Sequence, residues 1–199
     1  MGVYSPSAGV TEEKMQEIRE KVVEPTLKGM AQRNMPYKGT LYPGLMMSQK
    51  QGHPKEIMQV LEFNARFGDP ETQVLMVRLK SDLFTICRSA VDSLEGMTID
   101  WSPRPAVGVV IASGGYPESY STGHVITGLE DVDQGIQIFH AGTKREGNEV
   151  VTSGGRVLTV VADGKNLEEA RKRVYDNIER IKFKGSFFRK DIAVMEAKS

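Results

Sequence analysis

The residues with the clearest chemical potential lie in a short polar–apolar alternation in the first half of the chain. Three polar side chains, Glu62, Asn64 and Arg66, are separated by apolar or small ones. The flanking and intervening apolar positions are Leu61, Phe63, Ala65 and Phe67. Because successive side chains of a strand point to opposite faces, we expect the polar three on one face, about 7 Å apart per step, and the apolar four on a core face.

This polar row suits a site for a metal-bound nucleotide. Mg²⁺ prefers hard oxygen ligands and is usually held by one or two protein groups together with phosphates. Glu62 and Asn64 supply two such oxygens, and Arg66 can hold a phosphate or carboxylate through two parallel hydrogen bonds. The alternative is a solvated strand face with a Glu–Arg pair, which the alternation alone favours because such faces are common.

The segments around the row predict a hairpin. Residues 37–47 read as an irregular strand, since the Pro43–Gly44 pair indicates a bulge or bend. Residues 48–54 form a predicted polar turn, and residues 59–67 form the partner strand. The hairpin would therefore place the polar row on its second strand.

Helices are predicted on both sides of this hairpin. After a loop over residues 1–9, Thr11 is a predicted N-cap, and Pro25 should interrupt or bend the helix that follows. Beyond the hairpin, Asp69 is a predicted N-cap with Pro70 at the first helical position, and a second helix covers 81–94.

The second half of the chain predicts a separate α+β module. Ala106–Ala112 is a continuous apolar strand, and further strands are expected near 124–129, 136–141, 148–152 and 156–162. A closing helix begins at the N-cap Asn166. Its inner stripe consists of Ala170, Val174, Ile178 and Ile181. The pattern predicts an antiparallel sheet covered by a helix.

Six segments, in order along nearly the whole chain, resemble the phosphoribosylamine–glycine ligase family, also called glycinamide ribonucleotide synthetases. The most characteristic is EFNARFGDPETQ at 62–73. The others lie at 37–46, 112–117, 139–144, 152–160 and 188–192. Several motifs in the family order are far more specific than any one short pattern.

The resemblance implies a fold and a reaction. The fold would be α+β: the C-terminal part of an ATP-grasp subdomain over 1–95, a linker over 96–105 and a C-terminal α+β domain over 106–199. The reaction would join glycine to 5-phosphoribosylamine with ATP, through glycyl phosphate, and would require Mg²⁺ or Mn²⁺.

The resemblance also implies roles for individual residues. Glu62 and Asn64 would be the metal ligands, and Arg66 the catalytic residue that neutralises the transferring phosphoryl group or the acyl phosphate. Asp69 and Glu71 would lie near the glycine amine or order their loop.

Two further pairs of residues would contact substrate. Tyr4 and Ser5 belong to a loop that lies near the phosphoribosylamine in this family, where Val3 replaces the usual alanine. Ser113 and Gly114 lie in a glycine-rich turn with a modest predicted role in substrate binding, although tight turns at strand ends are the simpler interpretation.

The family's N-terminal domain, adenine-binding segment and glycine-rich lid would precede residue 1. We therefore expect this chain to be a C-terminal portion that needs the N-terminal half for activity. The alternative is a non-catalytic module of the same family that binds a nucleotide or a partner. Either way, residues 10–95 should expose apolar surface.

Composition argues against several other partners. The 199 residues carry 26 basic and 26 acidic side chains, so the net charge of zero gives no sign of a nucleic-acid binder. No run of about 18 apolar residues predicts a membrane span. Cys87, the single cysteine, indicates a reducing compartment, and its apolar helical context predicts core packing rather than a nucleophile, since no partner residues are visible. The sequence thus predicts a cytoplasmic protein.

Overall fold

A computed structural model describes residues 1–7, 9–48, 57–94 and 96–194. The chain forms two compact units. The first comprises Met1–Ser7, Asp69–Lys80 and Asp100–Ser199, and the second comprises Ala8–Gly68 and Ser81–Ile99. The α+β class is confirmed by the antiparallel sheets and helices, while the linear division at 96–105 stays a prediction.

The described residues form eight strands and five α-helices. The strands are β1 (Gly2–Ser5), β2 (Tyr42–Ser48), β3 (Ile57–Asn64), β4 (Ala106–Ala112), β5 (Gln137–His140), β6 (Thr143–Glu146), β7 (Glu149–Thr152) and β8 (Arg156–Asp163). The helices are α1 (Glu12–Ile18), α2 (Glu24–Gln32), α3 (Glu71–Arg78), α4 (Leu83–Val91) and α5 (Leu167–Ile178). No described helix is long and apolar enough to cross a membrane.

The first unit is built on a four-stranded antiparallel sheet in the order β1–β4–β8–β5. The predicted N-terminal loop is wrong, because β1 pairs with β4 and places Tyr4 opposite Val107. A short strand there satisfies the backbone groups that the edge of β4 would otherwise leave unpaired. Residues 2–5 therefore belong to the same sheet as the second half of the chain.

Both faces of the central strand β4 are covered, which explains its continuous apolar sequence. On one face, alternate β4 residues and the predicted α5 stripe share the main core. On the other face, Val74 of α3 contacts Ala106 and Val161. Gly108 leaves room for α3, since a Cβ there would lie 2.8 Å from Cγ2 of Val74.

Only some of the smaller elements of the first unit agree with the prediction from the sequence. Asn166 caps α5 as predicted, accepting from the Glu169 N–H, and Ile181 is buried just beyond the helix. The strand expected at 124–129 is wrong: only isolated bridges at Val125 and Thr127 occur there. The hairpin of β6 and β7 includes one strand that the sequence did not predict.

The second unit begins with a helical segment that runs through Pro25 instead of breaking. Thr11 accepts a hydrogen bond from the Lys14 N–H, so the predicted cap is confirmed. A π-helical turn, Arg19–Val23, then connects α1 to α2. Proline has no N–H to donate, so one helical hydrogen bond is missing at Pro25. The π turn just before it accommodates this missing bond without ending the helical segment.

The predicted hairpin is confirmed as the antiparallel pair β2 and β3, with a register shift at Gly44–Leu45. Residues 37–41 are not part of the strand, and the Tyr37 hydroxyl donates to the Thr40 carbonyl instead. The predicted turn at 48–54 falls, from residue 49 onward, outside the described residues.

The apolar side of β3 is exposed, so the predicted core face is wrong for this chain. Leu61 is 63% exposed, and Phe63 and Phe67 are also exposed, because a two-stranded hairpin has no second layer of its own. In α4, Phe84 is 73% exposed and Cys87 is exposed rather than in a core. The expectation of exposed apolar surface in residues 10–95 is confirmed.

Asp163 at the end of β8 ties the segment before β4 to α5. Its carboxylate accepts from Arg104 Nε at 2.6 Å and from Arg173 Nη1 at 3.0 Å. Burial alone would raise the pKa of Asp163, but the two guanidinium groups outweigh it and lower that pKa from the ordinary value of an aspartate. The ion pairs therefore stabilise the fold while the carboxylate is charged.

We expect Asp163→Asn to lower the free energy of unfolding by about 1 kcal/mol at neutral pH. The difference from wild type should shrink as the pH falls below 3.8, toward the lowered folded-state pKa, because the wild-type carboxyl is then protonated too. Urea denaturation of wild type and variant at neutral pH, and again at a pH below the ordinary pKa of an aspartate, measures this difference. Asp176→Asn, which removes an exposed pair with Lys172, is the control and should have little effect at either pH; an Asp163 effect independent of pH would contradict the prediction.

Candidate active site

Glu62 and Asn64 lie side by side on β3, as their spacing predicts. The Asn64 Nδ2 donates to Glu62 Oε1 at 2.9 Å. This bond leaves the second carboxylate oxygen of Glu62 and the amide oxygen of Asn64 as potential ligands. Glu62 is exposed and Asn64 is half-buried.

The irregularity of the hairpin positions Glu62. Gly44 pairs with Glu62 and Leu45 pairs with Val60, so Leu61 is the extra residue of a bulge in β3. Bulges re-aim neighbouring side chains and are over-represented next to active sites. Gly44 also leaves space for the glutamate, because a Cβ there would lie 3.2 Å from Glu62 Cγ.

The donor set fits Mg²⁺ or Mn²⁺ held together with a nucleotide. One carboxylate and one amide oxygen match the small protein contribution that Mg²⁺ takes when phosphates complete its shell. Among the described residues there is no group of three or more His, Cys, Asp or Glu side chains that could hold a metal by itself. The pair therefore suits a metal that arrives with phosphates.

Arg66 lies beyond the end of β3, which stops at Asn64, so its predicted place on the same strand face is wrong. Its Nη1 donates to the Phe67 carbonyl at 3.0 Å, which holds the guanidinium close to its own backbone. The strand ends where the chain turns toward Gly68. The exposed guanidinium retains donors for a phosphate or an acyl phosphate.

Asp69 is held by two side chains of the first unit and is not the N-cap of α3, a position that Pro70 occupies. Arg156 Nη2 lies 2.8 Å from Asp69 Oδ2, and Arg156 Nη1 donates to the Asp69 carbonyl at 2.9 Å. Gln73 Nε2 donates to Asp69 Oδ1 at 2.9 Å. The carboxylate binds these partners instead of capping the helix.

Glu71 and the glycine-rich turn also lie in the first unit. Glu71 is the half-buried first residue of α3. Ser113 is buried, and its hydroxyl donates to the Gly154 carbonyl at 2.8 Å. Gly114 packs on Gly185, whose carbonyl would lie 2.8 Å from an added Cβ. The substrate roles of all three stay predictions.

Tyr4 and Ser5 lie on β1. Tyr4 packs against the main core, and the Ser5 hydroxyl accepts from Arg78 Nη1 at 2.5 Å. Arg78 Nη2 also donates to the Ser102 carbonyl at 3.1 Å, and burial lowers the pKa of the Arg78 guanidinium. The position of Ser5 is thus fixed by the last turn of α3.

Two family models match the chain. The model described as "Phosphoribosylglycinamide synthetase, ATP-grasp (A) domain" matches residues 1–72, and the one described as "Phosphoribosylglycinamide synthetase, C domain" matches residues 106–195. Together they cover most of the sequence. The chain belongs to the phosphoribosylglycinamide synthetase family. The second match begins at the first residue of β4.

A curated relative and a solved structure agree with this family. The phosphoribosylamine–glycine ligase of Salmonella typhimurium is 52% identical over 196 residues, which are 96% of this chain and 44% of that protein. The chain therefore spans less than half the length of that relative. The crystal structure of the Thermotoga maritima phosphoribosylamine–glycine ligase is 32% identical, with a TM-score of 0.80 over 97% of this chain and 46% of that one.

The fold extends to more distant ATP-grasp proteins. The biotin carboxylase domain of Hydrogenobacter thermophilus 2-oxoglutarate carboxylase, solved with MgADP and bicarbonate, has a TM-score of 0.62. It is 16% identical and covers 94% of this chain and 40% of that one, so it supports the fold alone. The predicted ATP-grasp fold is confirmed.

In this member of the phosphoribosylglycinamide synthetase family, no role was predicted for Arg156 or Arg78 from the sequence. Arg156 stands inside the segment 152–160 that carries the resemblance, but its partner Asp69 is 87 positions away. Arg78 ends a helix, where a basic residue is unremarkable. Their contacts depend on strand order, which local patterns do not specify.

Proposed function

We propose that this chain is the C-terminal portion of a phosphoribosylamine–glycine ligase. The whole enzyme would join glycine to 5-phosphoribosylamine with ATP, through glycyl phosphate, to give glycinamide ribonucleotide for purine biosynthesis. The observation that carries the proposal is the Glu62–Asn64 oxygen pair, which lies in the segment matched by the ATP-grasp domain model. The 52% identity to the Salmonella typhimurium enzyme supports the same reaction.

Glu62 and Asn64 hold Mg²⁺ or Mn²⁺ in this proposal. When bound, the metal neutralises charge on the nucleotide phosphates. Arg66 binds the transferring phosphoryl group or the acyl phosphate, where a guanidinium offsets the developing negative charge. The match of residues 1–72 to the ATP-grasp domain model supports a nucleotide with its metal as the ligand.

The remaining predicted residues bind the other substrates. Asp69 accepts hydrogen bonds from the ammonium group of glycine, and Glu71 supports it at the start of α3. Tyr4 and Ser5 contact the phosphoribosylamine.

Ser113 and Gly114 keep their proposed share in substrate binding. The Ser113 hydroxyl donates its proton to the Gly154 carbonyl. It would therefore act toward a ligand as an acceptor, through its oxygen.

A second polypeptide segment would complete the enzyme. The apolar side of β3 and Phe84 of α4 are exposed, and exposed clusters of apolar side chains often mark sites where a partner binds. The N-terminal half, which this chain does not include, is the proposed partner that covers some of these side chains. We also propose that the protein acts in the cytoplasm, as the single cysteine suggests.

Glycine- and phosphoribosylamine-dependent release of ADP tests the proposal. The chain is assayed alone, mixed with the N-terminal part of the Salmonella typhimurium relative, and within a chimera in which it replaces the matching part of that relative. Activity of the mixture or the chimera, but not of the chain alone, is the expected result.

The two formats separate the possible failures. Activity of the chain alone would show that no second segment is needed. An active chimera with a silent mixture would mean that the separate halves do not associate. A folded chimera without activity would overturn the proposal and leave the non-catalytic binding module as the better description.

A further inference from the structure

Arg156, the first residue of β8, contacts Asp69 through two of its guanidinium nitrogens. One guanidinium nitrogen lies 2.8 Å from the carboxylate oxygen Oδ2, and another donates to the backbone carbonyl of the same residue at 2.9 Å. A planar guanidinium with two such contacts fixes both the side chain and the backbone of its partner. Asp69 is thereby locked in one orientation relative to the sheet.

The other carboxylate oxygen is fixed as well. Gln73 Nε2 donates to Asp69 Oδ1 at 2.9 Å, so each oxygen has one protein partner. A carboxylate oxygen can accept two hydrogen bonds, and the Asp69 side chain is 42% exposed. The carboxylate therefore has capacity to accept from an ammonium group without displacing either partner.

The loop that presents Arg156 is itself closely packed. Ser113 holds it twice, through its hydroxyl to the Gly154 carbonyl and through its N–H to the Gly155 carbonyl, both at 2.8 Å. A Cβ at Gly155 would lie 2.2 Å from the Tyr116 ring, so only glycine permits this approach. Because the loop is fixed in the fold, Arg156 can orient Asp69 before any substrate binds.

A role in stability alone does not account for this arrangement. An ion pair between side chains that are 35% and 42% exposed contributes little to stability. Contacts to both carboxylate oxygens and to the carbonyl oxygen of Asp69 instead restrict the orientation of the carboxylate. A carboxylate that binds a substrate needs such a fixed orientation.

We propose that Arg156 is a positioning residue, which holds the Asp69 carboxylate so that it receives the ammonium group of glycine. The inference rests on the proposed function, because it assigns that site its amino-acid substrate. It also gives the segment matched by the C domain model a share in recognising glycine.

Steady-state kinetics of the chimera test the inference. Arg156→Ala should raise KM for glycine by about 10–100-fold, since a small misplacement of a binding group can cost that much, and leave KM for ATP unchanged. Arg156→Lys keeps the charge and one contact and should recover part of the loss. Arg145→Ala on β6, which removes an exposed arginine, is the matched control and should not change either constant.

Combining Arg156→Ala with Asp69→Asn separates positioning from an independent effect. If Arg156 acts through Asp69, the double variant should be no worse for glycine than Asp69→Asn alone. Multiplying losses, an equal rise in KM for ATP, or an unchanged KM for glycine in Arg156→Ala would overturn the inference while the unmodified chimera remains active. An inactive unmodified chimera would instead mark the failure of the proposed function.

Discussion

Glu62→Gln is expected to reduce glycine-dependent ADP release by the chimera about 10²–10³-fold, the usual loss when one electrostatic partner of a transition state is removed. The substitution keeps the shape of the side chain and its place opposite Gly44. It removes the negative charge that a hard cation favours, while the glutamine carbonyl oxygen can still accept from Asn64 Nδ2.

A metal titration gives the decisive readout for this variant. If Glu62 is a ligand, high Mg²⁺ or Mn²⁺ should recover part of the activity, because weaker binding is compensated by concentration. Glu12→Gln, an exposed carboxylate at the start of α1, should behave as wild type. A Glu62→Gln chimera with wild-type rates at every metal concentration would exclude Glu62 as a metal ligand.

Leu158→Ala is expected to lower the free energy of unfolding of the first unit by about 2–5 kcal/mol. Leu158 is fully buried in β8 and belongs to the main core between the sheet and α5. Removing its side chain loses burial and leaves a cavity that the close-packed sheet cannot refill. Urea denaturation of the chain, followed by circular dichroism, measures the loss.

Leu61→Ala is the matched control, because the same side chain is removed from an exposed position on β3. It should change the stability of the chain by less than about 0.5 kcal/mol. It should nevertheless weaken association with the N-terminal part if that part covers β3. A Leu61→Ala variant as unstable as Leu158→Ala would mean that the apolar side of β3 is already buried within this chain.

Local patterns predicted the parts of the fold that depend on near neighbours. The caps at Thr11 and Asn166 follow from side chains that bond three residues ahead. The Glu62–Asn64 pair follows from the two-residue period of a strand. The Pro43–Gly44 pair indicated an irregularity at this point of the hairpin, but the extra residue of the bulge, Leu61, lies in the partner strand.

What sequence reasoning missed depends on residues that are far apart in the chain. β1 is a strand only because β4 supplies its partner, and nothing in residues 2–5 alone distinguishes it from a loop. The Arg156–Asp69 contact likewise requires knowledge of which element follows which in space. The apolar residues of β3 matched a core face in type, but no second layer among the described residues buries them.

The pairing of β1 with β4 sets a constraint on the order of events during synthesis. Residues 2–5 leave the ribosome long before their partners at 106–109, so the sheet of the first unit cannot close until the intervening chain has been made. The second unit, contributed by residues 8–68 and 81–99, lies entirely within that interval. Contacts between distant residues slow folding, since loop closure must precede them. Strand β1 therefore has no β4 to pair with until the chain has been made as far as residue 109.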